Sequence, residues 1–600
     1  MRGILTKITA IILAFSMVFL TACSAENIAQ AEKMISEAYN EQVQPVMQDV
    51  NDAEEDADHV YTIDKEKKKM YFAVPENESE IELAFMDGVK DIPYISMENA
   101  KDTLIMAMKE LDVKDYDLKL EADDDKVTLT RESGYTAVFD FTEDTVEFYD
   151  YDAFLKKQEN TYLLDVITLT GYNDKGEPEY LQAMDTSFER YGNPVTFRPG
   201  EYGIDMICQD GEYYIPVQFL SDIILSRMKL NIVYNGENVC IVPGGRTDFL
   251  EDQYYIADPP KERSDALIDF NYRELCLAMD AFYGLKEQHH ITSFDSLFRQ
   301  TGLIEPLMSK DPQEAGQALA DLTLIYLDDR HTGFGGKSYM MTDTPTLKFG
   351  NSYQQSFVDG KAFKSARDKV YPDGVPGYEE VGNTAFITID GFSNDDSIDY
   401  YSDSVKAEDH LDDTFGLMIY AFSQITRDQS PIKNVVLDLT LDEGGSEDAG
   451  AYVIGAFIGN GSISVMNSLT DALMTENFKA DLNLDRKFDD SDNLLDYNLF
   501  CLTSPYSFSC ANLVPSVLKN SHKVTVLGQT SGGGTCVLYR MSTADGCVFQ
   551  MSGPLRMSYT KNGSFYEIDQ GIEPDFVISR PEQFYDRKYI DKYVNELMGN

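Results

Sequence analysis

Two hydrophobic textures divide the chain. From about Val60 to Pro243, apolar and polar residues alternate in short runs. Val127-Thr128-Leu129-Thr130 and Ala137-Val138-Phe139-Asp140-Phe141 are examples, and their period of two predicts strands. Gly244 to Lys261 is a Gly/Pro/Asp-rich connector ending in Asp258-Pro259-Pro260. From Leu267 to Leu285 and from Leu297 to Tyr326 apolar residues recur at helical spacing. Residues 339–380 read as irregular. From Thr384 onward the texture becomes α/β. Ala385–Ile389 is a predicted strand, Phe415–Ile425 a helix, Asn434–Leu439 a buried strand, and Ala449–Phe457 a second helix behind Gly444-Gly445. The pattern predicts an α/β core preceded by a helical segment and an N-terminal α+β region.

The most informative stretch of that core is Leu499 to Gly534. An apolar run (Leu499–Leu502) passes through a turn-rich segment to Ser509, and a mostly apolar helical segment follows. A β-branched run (Val524–Leu527) then breaks into Gly532, Gly533 and Gly534. A serine at a strand-to-helix turn sits where backbone N–H groups are unpaired and the helix dipole is positive. That position suits a nucleophile and the oxyanion it creates. It equally suits a simple helix cap.

Composition narrows the setting. The formal charge of −53 argues against nucleic acid and against attraction to anionic lipid. The acidic residues are spread along the chain, as solvated surface. Arg2 and Lys7 precede an apolar core from Ile8 to Leu20, with small residues after it, which is the layout of an export signal. Leu20-Thr21-Ala22-Cys23 resembles a bacterial lipobox. The resemblance implies cleavage before Cys23 and lipidation of its thiol, giving residues 1–22 as signal peptide and 23–58 as an acidic spacer. An ordinary secretory signal with a coincidental cysteine is the other reading. The expected location is the outer face of a bacterial cytoplasmic membrane. The remaining cysteines show no Cys-x-x-Cys spacing, so no zinc site is expected, and their odd number leaves at least one thiol free.

A serine hydrolase needs a base, a group that orients it and donors for the oxyanion. The six histidines are 59, 289, 290, 331, 410 and 522. His331 ends a helical run just before Thr332-Gly333. His289 and His290 lie in a polar turn and look structural, and His522 follows the Ser509 helix as the nearest local competitor. Four motifs then occur in order: Asp328-Asp329-Arg330-His331-Thr332, Asp438 to Gly445, the Ser509-Cys510-Ala511-Asn512 turn with its Gly-rich loop, and Gly571-Ile572-Glu573-Pro574-Asp575. Together they resemble the C-terminal processing (tail-specific) serine protease family. The likeness covers 262–335, its helical N-terminal part, and 382–580, its catalytic core. It implies a crotonase-like α/β fold and peptide-bond hydrolysis through an acyl-enzyme, with protein or peptide substrates and no cofactor. One branch of the family uses a lysine in the Gly-rich loop, but Gly533 stands in that slot here. The tricorn-like branch uses Ser and His. The resemblance therefore implies Ser509 as nucleophile, His331 as base, and the N–H groups of Cys510 and of Gly445 in the Gly444-Gly445 turn as the oxyanion hole. The branch's late acid falls at Ile568 in this chain, so Asp569, with Glu567 as the alternative, is the expected acid. Asn512 replaces the Glu usual after the nucleophile turn. No room is left between 339 and 380 for the family's peptide-binding PDZ module.

Three further readings complete the sequence. Asp87-Gly88-Val89 with Ile92-Pro93-Tyr94 echoes Asp210-Gly211 with Ile215-Pro216-Val217. Residues 190–245 and, more weakly, the first copy resemble the small domain named after the N-terminal domain of copper amine oxidases, with no copper-ligand cluster. Residues 59–245 are thus expected to be an accessory region holding two copies of it. Asp481-x-Asn483-x-Asp485, with Asp489 and Asp492, has the oxygen spacing of a calcium loop. Arg486 stands where such loops want Gly, and the favoured reading is a solvated acidic loop without metal. The function these readings favour is a lipid-anchored serine peptidase. The alternatives are an inactive surface lipoprotein binding peptides or wall polymers, and an esterase or amidase using the same acyl chemistry.

Overall fold

The computed structural model describes residues 59–599 except 73, 112, 114–115, 157–165, 168–179 and 245–246. The export signal, Cys23 and the acidic spacer lie outside the described residues. Among those described, no helix is long and apolar enough to cross a membrane, and the seven cysteines carry free thiols.

The catalytic-core pattern folds around a six-stranded sheet in the order Tyr378–Val381, Thr384–Thr388, Asn434–Asp438, Asn498–Thr503, Val524–Gly528, Phe576–Val577. The first pair is antiparallel and the rest are parallel. Parallel neighbours need crossovers, which the helices Thr414–Ile425, Glu447–Ile458 and Cys510–Asn520 supply. The four inner strands are buried on both faces, which is why they read as continuous apolar runs. Val435, Leu437, Leu499 and Cys501 face the crossover helices in one core. Val436, Phe500, Leu502 and Leu527 face a second core containing Phe363, Ala366, Phe584 and Ile590.

Phe363 and Ala366 belong to a helix, Asn351–Val370, that corrects the irregular reading of 339–380. Its buried positions are Ser356, Gly360, Phe363 and Ala366. Two of these four carry no apolar side chain, so the stripe facing the sheet leaves almost no hydrophobic period in the sequence. The run expected from Leu297 to Tyr326 is also corrected. It breaks into Phe294–Thr301, Ile304–Leu307 and Pro312–Asp321, followed by a π-turn at Leu322–Tyr326. Gly302 ends the first piece in a left-handed cap at φ +77°, and Asp311-Pro312 starts the third, the ordinary stop and start signals.

The two echoing N-terminal stretches lie side by side in one seven-stranded sheet, where Tyr94–Ser96 pairs antiparallel with Glu212–Pro216. Lys126–Arg131 and Thr136–Asp140, expected as strands, pair within a separate five-stranded sheet. The region is not a detached module. Leu181–Arg190 is the edge strand of a fourth sheet and pairs with Ala472–Ala480 of the core. Leu220, Ile224 and Phe197 share one apolar cluster with the 265–327 helices and with Tyr539, Phe549 and Met551.

A buried ion cluster ties the C-terminal helix Arg587–Leu597 to the carboxyl end of the central strand. Arg587 donates to Asp438 (2.8 Å), Glu379 (2.8 Å) and Thr388 (3.0 Å). Its side chain is 4 % exposed and that of Asp438 1 %. Replacing Arg587 by Met leaves a buried carboxylate unpaired, so the variant is expected to lose about 3–5 kcal/mol of stability. Chemical denaturation checks this; a loss below about 1 kcal/mol would show that the cluster is not structural.

Candidate active site

Ser509 is placed by the end of one strand and the start of one helix. After Asn498–Thr503 the chain turns through 504–508. Ser504 and Ser507 donate to the carbonyls of Thr440 (2.6 Å) and Leu439 (2.7 Å), fixing this turn against the end of the neighbouring strand. Ser509 then precedes the helix Cys510–Asn520 with φ +58° and ψ −122°, and its side chain makes no capping bond. A non-glycine residue there is strained by about 1–3 kcal/mol. The strain is opposed by bonds on both sides: Phe508 N–H donates to Asp442 O (3.1 Å) and Ser509 N–H to Gly533 O (2.9 Å). The Ser509 hydroxyl is thus not spent on capping its own helix, and of the helix's first N–H groups those of Ala511 and Asn512 are taken by Phe508 O (3.0 Å) and Ser509 O (2.8 Å), leaving that of Cys510 open.

The Gly444-Gly445 turn lies directly against this helix start. A Cβ on Gly444 would sit 2.6 Å from Ser509 Cβ and 3.0 Å from Cys510 N, and Gly444 has φ +104°. Gly444 N–H is taken by Asp442 (2.7 Å). The flanking bonds run from Phe392 N–H to Gly444 O (2.9 Å) and from Ser446 N–H to Phe392 O (2.8 Å). Among the described residues neither Gly445 N–H nor Cys510 N–H has a hydrogen-bond partner. Open backbone donors beside a serine are the groups from which an oxyanion hole is built. The Cys510 thiol is no competing nucleophile: it is 4 % exposed, donates to Gly445 O (3.2 Å), and burial holds its pKa well above the usual thiol value.

His331 reaches the same place through Phe508, the residue before the serine; the two rings are 4.6 Å apart between centroids. Its backbone is held by Asp329 Oδ1 on the N–H (3.1 Å) and by Gln550 on the carbonyl (3.1 Å). Burial lowers its pKa to about 4, with Asp329 opposing and Arg330 assisting, so the imidazole is neutral at pH 7 and able to accept a proton. His522, in contrast, is exposed beyond the far end of the Cys510–Asn520 helix, which at 1.5 Å per residue puts it roughly 18 Å from the serine.

Asp569 is positioned by backbone contacts close to the same centre. It accepts Thr535 N–H (3.2 Å) and a long bond from Gln570 (3.4 Å). Burial raises its pKa, against the attraction of Arg556. Among the described residues no hydrogen bond joins the His331 ring to Ser509 or Asp569. Glu567 is exposed and ion-paired with Arg556. The glycine in the lysine slot has a steric reason: a Cβ on Gly533 would lie 1.8 Å from Asp569 O. Asn512 also acquires a role. It donates to Ile568 O (2.9 Å) and accepts from Ser531 (2.7 Å), whose oxygen in turn accepts Ile572 N–H (2.8 Å). The residue that departs from the family's usual Glu thus fastens the Asp569 turn to the Ser509 helix.

The sequence reading passed over three residues at this site. Asp329 accepts from Tyr283 (2.7 Å), Ser552 (2.7 Å), Thr332 (2.5 Å) and His331 N–H (3.1 Å). Tyr283 also meets His289 Nδ1 (3.3 Å), so the histidine read as structural belongs to the same network. Arg330 lies 4.0 Å over the Phe508 ring and pairs with Glu443 (3.2 Å). Asp442 is fully buried, with one carboxyl oxygen lacking any partner, and burial raises its pKa well above normal. All three lie inside motifs visible in the sequence, but for Asp329 and Arg330 only side-chain partners 46 to 223 residues distant disclose what they do, and for Asp442 only its burial does.

Gly444→Ala puts a methyl group against Ser509 and is expected to slow reaction with a serine-directed fluorophosphonate by at least about 10²-fold. Labelling kinetics check this; an unchanged rate would separate the Gly444-Gly445 turn from the reactive serine.

Comparison with known proteins adds a family to this geometry. No curated protein matches the chain. Among solved structures it is similar to the photosystem II D1 C-terminal processing protease, at 16 % identity and TM-score 0.25, covering 35 % of this chain and 46 % of that one. It is also similar to a lipoprotein from Streptococcus agalactiae (15 %, TM-score 0.34, 56 % of this chain and 99 % of that one) and to mature CPAF (12 %, TM-score 0.35, 56 % and 96 %). The chain thus spans under half the length of the D1-processing enzyme it matches. The model of Peptidase family S41 matches residues 383–578. That span holds Ser509, Gly445, Cys510 and Asp569, and the chain therefore carries a Peptidase family S41 domain.

Proposed function

We propose that this chain is a serine peptidase of the Ser–His type, exported and held by a lipid on Cys23 at the outer face of a bacterial cytoplasmic membrane. The observation that carries the reading is the strained Ser509, with two open N–H donors nearby and a neutral, buried histidine whose ring is tilted against that of its neighbouring residue. Ser509 Oγ attacks a peptide carbonyl as His331 takes its proton. The oxyanion is received by the N–H groups of Gly445 and Cys510. His331 returns the proton to the leaving amine, and water hydrolyses the acyl-enzyme. Asp569 is the group proposed to orient His331. Base–nucleophile bonds are often long in a free enzyme and tighten only when substrate binds. A cleft of about 550 Å³ lined by Phe334, Gly336, Leu347, Arg540 and Gln550 offers a seat for substrate. It runs along Gly333–Gly336, the edge strand that directly follows His331-Thr332, and an extended peptide can pair with such an edge.

Fluorophosphonate labelling tests the chemistry. Label is expected on wild type, none on Ser509→Ala, and at least about 10²-fold slower label on His331→Ala. Because burial depresses the His331 pKa to about 4, the base is neutral above that value, and wild-type labelling should fall only as pH drops through roughly 4–5 rather than through the ordinary histidine range near 6.5. A wild-type protein that never labels would favour the inactive binding-protein alternative; label surviving Ser509→Ala would remove Ser509 from the role.

Anchoring is tested separately. Cys23→Ser is expected to abolish metabolic incorporation of labelled fatty acid and to move the protein out of the membrane fraction. Unchanged incorporation would exclude Cys23 as the lipid site.

A further inference from the structure

The loop joining the strands Ala472–Ala480 and Asn498–Thr503 does not have the solvated character its composition suggests. Asp481 is 0 % exposed and Asp492 1 %, while Asp485 is exposed. Carboxylate oxygens from these three residues lie within 4.8 Å of one another. Asp481 Oδ2 accepts from Arg486 N–H (2.7 Å) and Tyr401 OH (3.0 Å). Its Oδ1, fully enclosed, accepts from nothing. A buried anionic oxygen without a donor is costly and rare, and here it belongs to a carboxylate that clusters with two others.

The surrounding backbone has the form a cation loop needs. Arg486, in the position such loops usually give to Gly, adopts φ +58°, and its guanidinium stacks 3.7 Å over Tyr401. The sequence objection to this residue is therefore met by the backbone itself. Among the described residues the Asp485 carboxylate is met only by Lys487, through its N–H (2.9 Å) and its ammonium (2.8 Å). Asp492 accepts Leu482 and Asn483 N–H (both 3.2 Å) and Asp489 N–H (3.1 Å), which leaves one lone-pair site in its carboxylate inventory.

We infer that Asp481–Asp492 is a calcium-binding loop. Asp481, Asp485 and Asp492 are its anionic ligands, and Asn483, the Lys487 carbonyl and Asp489 occupy the remaining positions of a twelve-residue oxygen cage. Calcium is favoured over magnesium because it takes more oxygens at longer range from a flexible loop, whereas magnesium keeps its waters. The role is structural. Tyr452 OH donates to Asp481 O (2.7 Å), Asp481 N–H to Tyr180 O (3.0 Å), and Tyr401 OH to its carboxylate. A cation here clamps the crossover helix Glu447–Ile458, the 400–401 turn and the chain entering the strand Leu181–Arg190. Neither Ser509 nor His331 takes part, so the inference stands independently of the peptidase reading.

The test is calorimetric titration of the EDTA-stripped full chain with CaCl2 and with MgCl2, alongside thermal melts in each salt. Wild type is expected to take up one Ca²⁺ saturably, to gain at least about 2 °C in Tm at saturation, and to bind Mg²⁺ at least about tenfold more weakly. Asp481→Asn should abolish uptake. Because Asp481 is buried and that variant can misfold, Asp485→Asn, at an exposed position, provides the second arm and should weaken Ca²⁺ at least about tenfold. No saturable Ca²⁺ uptake by wild type overturns the inference, as does uptake unchanged in Asp485→Asn, or Mg²⁺ binding as tight as Ca²⁺.

Discussion

A serine held at positive φ between two glycine turns is the constraint on which the rest of the core depends. Ser509 cannot relax into its helix because Gly533 O holds its N–H and the Asp442 carbonyl holds the residue before it. The strained turn must therefore be over-determined by its neighbours. It is sandwiched between Gly444 on one side, where a Cβ would meet the Ser509 Cβ, and Gly533 on the other, where a Cβ would meet the Asp569 carbonyl. Three segments, around 444, 509 and 533, meet at backbone-to-backbone distance. The parallel sheet makes this possible, since it delivers the strand ends at 438, 503 and 528 to one edge, where open α/β sheets place their ligands.

The same close packing explains the departures from the lysine-using branch. Backbone from the 569–571 turn occupies the space a lysine side chain at 533 would need. Asn512 and Ser531 then bond that turn to the Ser509 helix. With the lysine slot closed, the proton acceptor proposed in its place is His331, whose ring lies against that of Phe508.

Electrostatics around the centre is arranged for a neutral imidazole. Asp329 lies close, but its carboxylate is engaged by Tyr283, Ser552, Thr332 and a backbone N–H, which spreads its charge over several donors. Arg330, set against the Phe508 ring, adds positive potential. Burial and Arg330 together outweigh Asp329, and the pKa of His331 falls. Arg330 also joins the 443 and 508 segments, so one side chain both shapes the field and closes the loop packing.

The sequence by itself determined the core strands, whose continuous apolar runs can only be buried on both faces, and the crossover helices behind Gly445 and Ser509. It also marked the strand-to-helix serine and the double glycine at the centre, because both follow from local backbone chemistry, whereas the histidine read as ending a helix lies in a turn five residues beyond Tyr326. It could not show the Asn351–Val370 helix, whose inward face carries only Phe363 and Ala366 as apolar side chains beside Ser356 and Gly360, nor the breaks in the 297–326 run beyond what Gly302 and Pro312 signal. Only tertiary structure decided which histidine stands beside Phe508, which N–H groups remain open, and why Gly533 and Asn512 occupy their positions. It alone joined the N-terminal strand Leu181–Arg190 to the core sheet and buried Asp481 and Asp492 in a loop whose composition reads as solvent-exposed. The physical reason is common to all of these. Periodicity and capping act within a few residues, whereas burial, backbone approach and charge pairing are set by segments hundreds of residues apart that meet only once the chain has folded.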